Sequence, residues 1–395
     1  MKSIRRFWQR HWRFIILVLG ALAVLYWLLL HRLGSLVGGL SAGEAQVANT
    51  VYGWHGIYRQ PLYLSLDFLR SVVWLLPGHH GQLLTRLPNA LIGAITIMCF
   101  ATLIKLWHGT RTAIFATAMF ATSAWVLHIS RLASNDVLYL CAIPLLLLGL
   151  VAAQRRATNP FVYYGNVLLW GSLLYVPGML WFITLVVFWQ RQAIVDGWRQ
   201  FAVWWQRSLY VLAGLSWLPL LSIALSRSGV WRLWLGLPLH FAAPLTMLKQ
   251  FGAVGVHLFV RGPQYPDLWL GRAPILDIFT LVMFIFGVYF YARHWRVGRS
   301  RILLTLFIVG YILIALGGAV SISLLVPLLY IVAATGLAYL LHEWLRVFPL
   351  NPLARTFGIG IIAVAVGLSC LYNVRAYFVA WPNNPITEQT FQYHR

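Results

Sequence analysis

Acidic residues are almost missing from this chain, which has 8 Asp and Glu in 395 residues against 30 Lys and Arg. Charged residues make up 10% of the sequence and apolar ones 61%, with a mean hydropathy of +0.76. So little charge argues against a string of soluble domains and for a single polytopic membrane domain, in which each carboxylate near the bilayer is costly and needs a reason. Cysteine is scarce too. Cys99, Cys141 and Cys370 lie in apolar runs without paired spacing, so neither a disulfide framework nor a cysteine metal site is expected. No Walker loop, nucleotide-binding glycine fingerprint, HExxH or GxSxG sequence occurs, which leaves soluble nucleotide and hydrolase chemistry without support. Internal repeats and inverted halves are also absent, which counts against the common transporter architectures.

The net charge of +22 would suggest a nucleic-acid partner in a soluble protein. Here the cations sit mainly between apolar runs, where they set orientation and meet anionic headgroups, so the expected partners are membrane lipids and no nucleic acid. Apolar segments able to cross a membrane run approximately over 14–31, 84–104, 112–129, 137–153, 161–175, 177–190, 208–226, 274–291, 301–317, 322–341 and 356–373. That gives an all-α fold of about eleven transmembrane helices, several shorter than the ~20 residues of a comfortable span. The basic start (Lys2, Arg5, Arg6, Arg10, Arg13) precedes a run to Leu30 that is too long for a signal peptide, so it is expected to be an uncleaved first span. With that start, the short Arg-rich connections hold 18 of the 30 cations and define the cytoplasmic face. The N-terminus is then cytoplasmic and the tail after residue 373 extracytoplasmic, in a multi-pass protein of the cell membrane.

Two long segments, 32–83 and 227–273, fall on the outer side. Within the first, Gly43 to Tyr52 and Leu62 to Leu76 have helix-compatible apolar spacing, and aromatics such as Trp54 and Tyr58 suit the headgroup region. They are expected to form amphipathic helices on the outer surface.

Glu44, Arg86, Arg131 and Asp136 share that outer face and are the principal candidates for chemistry. Glu44 could take a proton from an acceptor hydroxyl or hold a divalent cation that does so. Ser41 and Glu44 also have the spacing of a capping box, which would make the carboxylate a helix cap instead. Asp136 is the second candidate carboxylate, in a six-residue turn with Arg131, where Ser134 could cap the next span and Arg131 could pair with Asp136. Arg86 opens the second span, with Pro88 tolerated in a first turn. Its planar guanidinium suits a phosphate, or else snorkels to headgroups. Arg59, Arg261, Arg272 and His55 are weaker candidates of the same kind.

Several stretches resemble the GT-C type of membrane glycosyltransferase, in particular the glycosyltransferase family 39 and protein mannosyltransferase-like superfamily. These are Arg86-Leu87-Pro88-Asn89-Ala90-Leu91-Ile92-Gly93, Ser130-Arg131 with Asp136, Gly271-Arg272-Ala273-Pro274-Ile275-Leu276-Asp277, Val326-Pro327-Leu328-Leu329 and Tyr377-Phe378-Val379-Ala380-Trp381-Pro382. The resemblance implies a transmembrane domain over 1–373, a short extracytoplasmic tail over 374–395 in place of the usual soluble domain, and transfer of a sugar from a polyprenyl-phosphate donor to an extracytoplasmic acceptor with inversion. Glu44 and Asp136 would then be catalytic, and Arg131, Arg86 and Arg59 would bind the donor phosphate. The chain departs from the family at Gly43-Glu44, where the first loop usually carries an Asp-Glu pair whose Asp is catalytic, and at Ser321 and Ser323, where a basic residue often precedes the proline of the late span. The alternative is a non-catalytic relative or a lipid-linked sugar transporter binding the same donor.

Overall fold

The structure, a computed structural model, describes residues 16, 18–50, 62–75, 81–155, 159–226 and 229–392. Among them every regular element is a helix, as expected for a chain whose backbone must satisfy its own polar groups in lipid. In order they are α1 (Val18–Leu30), α2 (Ala42–Thr50), α3 (Leu64–Trp74), α4 (Gln82–His108), α5 (Thr110–Thr122), α6 (Ala124–Arg131), α7 (Asp136–Arg155) and α8 (Pro160–Leu173). Then follow α9 (Met179–Arg199), α10 (Val203–Ser226), α11 (Val230–Trp234), α12 (Pro244–Phe259), α13 (Ile278–Arg293), α14 (Gly298–Ala315), α15 (Leu325–Val347), α16 (Pro352–Arg375) and α17 (Pro385–Thr390).

The chain marks several of these starts chemically. Asn159-Pro160, Asn351-Pro352 and Asn384-Pro385 each put an Asn side chain at the N-cap, accepting a free backbone N–H, and a proline at the first helical position, where no donor is needed. Deep in the bundle, α4 and α7 pack together, and α13 lies along α15. Gly287 and Gly336 make the second contact possible: a Cβ on Gly336 would collide with the Met283 carbonyl, and one on Gly287 with that of Val332. Small residues at a crossing let backbones approach where lipid offers no hydrophobic drive for association.

The segment expected as one span over 112–129 is two helices, α5 and α6, bent by 59° at Ser123. A break frees backbone donors that must be satisfied inside the protein. Asn373 of α16 does so, accepting the Ala124 N–H at 3.2 Å, while its amide donates to Asp277 Oδ2 at 3.0 Å and the Ser369 carbonyl at 2.9 Å. Asp277 also caps α13 through the Thr280 N–H and hydroxyl.

Each expected apolar segment centres on a helix, though several ends, such as 174–175, 274–277 and 316–317, are turns or extended chain. Among the described residues, five helices can cross a membrane by length and composition, or six with the bent α5–α6 pair as one; α8 and α13, at 14 and 16 residues, are too short to count on that test. Three boundaries also move. α4 begins at Gln82, so Pro88 lies inside the helix rather than in its first turn. α9 continues to Arg199 through most of the expected basic connection. The 227–273 segment holds α12, a 16-residue helix that Gly and Pro had masked in the sequence. The surface helices of the first long segment are present as α2 and α3, displaced by a few residues.

Candidate functional site at the loop end of the bundle

The described parts of the two long segments, 32–50 with 62–75 and 229–273, meet the α6–α7 turn and the chain after α16 at one end of the bundle. Glu44 sits at its centre, 3% exposed, in the first turn of α2. Its side chain and that of Ser41 form the capping box: the Ser41 N–H donates to Glu44 Oε2 and the Glu44 N–H to Ser41 Oγ, both at 3.1 Å. The carboxylate does more than cap. Arg86, 2% exposed on α4, grips it with two parallel bonds, Nε to Oε1 at 2.8 Å and Nη2 to Oε2 at 2.7 Å, and the Ala133 N–H adds 2.9 Å to Oε1. Four donors therefore surround the carboxylate. Arg86 turns its remaining N–H groups to the carbonyls of Leu33 and Gly39.

Glu44 and Arg86 thus meet, but as a sealed, bidentate ion pair that ties α2, α4 and the α6–α7 turn together. Every nitrogen of the Arg86 guanidinium, expected to meet a phosphate, is bonded to protein in this structure. The pair also leaves the Glu44 carboxylate without an oxygen facing outward.

Arg131 is also turned inward. Its Nη1 donates to the Leu28 carbonyl at 2.6 Å and its Nη2 to that of His31 at 2.7 Å, so it satisfies orphan acceptors at the end of α1. The rings of Phe378 and Tyr377 cover its guanidinium, with centroids 4.8 and 5.5 Å from Cζ. Those rings belong to a π-helical turn, Ala376–Ala380, that continues α16. The expected ion pair with Asp136 is not formed. The ion pairs among the described residues are Arg70–Asp67, Arg86–Glu44 and Arg346–Glu343.

Asp136 opens α7, with its N–H 3.3 Å from Ser134 Oγ, as the cap predicts. The hydroxyls of Ser321 and Ser134 face its carboxyl, and it lies within electrostatic reach of Asp267. Both carboxylates are half-buried. Beside them Tyr63 and Tyr139 share a 3.3 Å hydrogen bond, and Tyr139 donates to the Ala319 carbonyl at 2.8 Å. Arg70 of α3 braces the same wall, donating to Asp67 at 3.1 Å, Asn135 at 3.0 Å and the Ser134 carbonyl at 3.3 Å. Burial acts on both partners of that pair, raising the Asp67 carboxyl above the usual carboxylate range and lowering Arg70, with mutual attraction only partly offsetting it. Arg59 and His55 lie outside the described residues.

Two features of this end were not singled out in the sequence. Asp267 is carried in by the 227–273 segment and held there by α6: the buried His128 donates from Nε2 to the Asp267 carbonyl at 2.8 Å, while Trp125 donates to the carbonyls of Ala273 and Pro274. Next to it an open groove of about 530 Å³ is lined by Leu270, Gly271, Tyr372, Arg375, Trp381 and Asn384, with Arg375 exposed. Arg261 and Arg272 are exposed on the same segment. Contacts between residues so distant in sequence leave no local pattern. Among the described residues, no group of three or more His, Cys, Asp or Glu side chains is placed to hold a metal ion.

The fold is of the GT-C type, the one implied by the sequence resemblance, in a multi-pass membrane protein. The likeness is to ArnT from Cupriavidus metallidurans. Its crystal structure in the apo state and its crystal structure bound to undecaprenyl phosphate both match with a TM-score of 0.54 and 13% sequence identity, covering 95% and 94% of this chain and 76% of the ArnT chain. No protein-family model and no curated protein sequence matches the chain.

Proposed function

We propose that this protein is a glycosyltransferase that takes a sugar from a polyprenyl-phosphate donor and transfers it, with inversion, to an acceptor hydroxyl at the extracytoplasmic face. The observation that carries this reading is the fold shared with ArnT over nearly the whole chain, including the form bound to undecaprenyl phosphate. The charge bias of the sequence assigns the end with Glu44 and Asp136 to the outside. There the two tasks of the reaction have separate groups: cations to hold the leaving phosphate, and an accessible carboxylate to take the acceptor proton.

Within this proposal Asp136 stands in the site beside Asp267, its carboxyl half-buried and facing the hydroxyls of Ser321 and Ser134. Glu44, Arg86 and Arg131 position the site: they lock α1, α2, α4 and the α6–α7 turn into one rigid wall. Phosphate binding falls to the exposed Arg272 and Arg375, at a groove with apolar walls that suits a prenyl chain, and Arg59, outside the described residues, stays a candidate from the sequence. The test is turnover of a labelled polyprenyl-phosphate sugar by purified protein in lipid, with Arg375→Ala and Arg272→Ala weakening donor binding. One observation favours the rival reading, a relative or transporter that binds the donor without transferring from it: the Glu44 carboxylate is closed off by Arg86. Binding without transfer or slow hydrolysis would select it.

A further inference from the structure

We infer that Asp267 is the carboxylate that takes the proton from the acceptor hydroxyl, and that Gly43 is glycine in order to seat it. The inference rests on the transferase reading. Gly43 lies in the first turn of α2 and its φ is not positive, so the backbone conformation does not require glycine there. Space requires it. A Cβ at position 43 would stand 2.6 Å from Asp267 Oδ2 and 3.4 Å from its Cγ, so any side chain there would displace the carboxylate.

The other acidic groups buried at this end are engaged. Glu44 is held by Arg86, Asp67 by Arg70, and Asp277 by Thr280, Ser369 and Asn373, while the Asp136 carboxyl is faced by the hydroxyls of Ser321 and Ser134. Asp267 is half-buried, and among the described residues its carboxylate makes no ion pair or hydrogen bond, whereas its main chain is fixed by His128. A positioned but unpartnered carboxylate, pressed against the N-terminal turn of α2, has a free lone pair for a proton and little reorganisation to undergo. In the transfer, the acceptor O–H proton passes to Asp267, the acceptor oxygen bonds to the anomeric carbon from the face opposite the phosphate, and the bond from that carbon to the phosphate oxygen breaks. Its electron pair leaves with the polyprenyl phosphate.

A positional swap in the full chain reconstituted in lipid tests this. Asp267→Asn and Asp267→Ala should each lower turnover of a labelled polyprenyl-phosphate sugar by about 10² to 10⁴-fold with donor affinity unchanged. Gly43→Asp alone should be impaired, because its Cβ would occupy the place of the Asp267 carboxylate. Gly43→Asp with Asp267→Ala should recover turnover over Asp267→Ala alone, since the carboxylate returns to the same space from the other side; a purely structural role for Asp267 predicts no such rescue. Should Asp267→Asn fail to fold, the rescue decides. Full turnover by a folded Asp267→Asn, or a double variant no better than Asp267→Ala, overturns the inference while leaving a wild-type transferase intact. Wild-type protein that binds donor and never turns it over overturns the transferase reading, and this assignment with it.

Discussion

Replacing Glu44 by Gln separates a reacting carboxylate from a structural one. In the wild type the side chain accepts four hydrogen bonds, two of them from a guanidinium that is itself only 2% exposed. A Gln keeps one oxygen but turns an amide N–H₂ toward Arg86, donor against donor, and leaves the buried cation without its counter-charge. Breaking a buried pair from one side costs about 3–5 kcal/mol, because the remaining charge is uncompensated. Loss of the Ser41 cap alone, in Ser41→Ala, costs about 1 kcal/mol. Thermal unfolding in detergent of Glu44→Gln, Arg86→Gln and the double variant should therefore show two large single losses and a double loss smaller than their sum by about 1–3 kcal/mol. A Glu44→Gln protein as stable as the wild type yet without transferase activity would refute this, and would return Glu44 to the role of base.

Asn373→Leu should lower stability by about 1–3 kcal/mol, since it strands the Ala124 N–H at the helix break and removes a donor to Asp277; unfolding in detergent measures it. Gly336→Ala should destabilise by about 1–3 kcal/mol or more through the clash with the Met283 carbonyl, whereas Gly360→Ala, inside α16 where a Cβ meets open space, should stabilise by up to about 1 kcal/mol in the same measurement. Reporter fusions at the two termini should place the N-terminus in the cytoplasm and the C-terminus outside; the same compartment for both would mean that the expected odd span count is wrong.

Much of the fold was legible because apolar runs and caps are local. The Ser41–Glu44 box and the Ser134 bond to the Asp136 N–H can each be read from adjacent letters, and both are present. The grouping of Glu44, Arg86 and the α6–α7 turn at one end was also foreseen, from topology. What these groups do to one another was not, since a carboxylate and a guanidinium on separate segments carry no sign of whether they face solvent or each other. Arg131 shows the same gap: its partners are main-chain carbonyls of α1, which have no side-chain signature at all. Gly43 is the instructive case. In the sequence it is a departure from the family's acidic pair; in the structure the vacant Cβ position is filled by the carboxylate of Asp267, from a distant segment. The bend at Ser123 was hidden because a broken span keeps its hydropathy and changes only its direction.

The central claim is that the chain transfers sugar from a lipid-linked phosphate. Purified wild-type protein in lipid vesicles, given a polyprenyl-phosphate donor labelled in the sugar, tests it most directly. Labelled acceptor is expected when the acceptor is supplied, slow release of free sugar when it is not, and loss of both in Asp267→Asn. Donor that binds and is recovered intact in every case would contradict it.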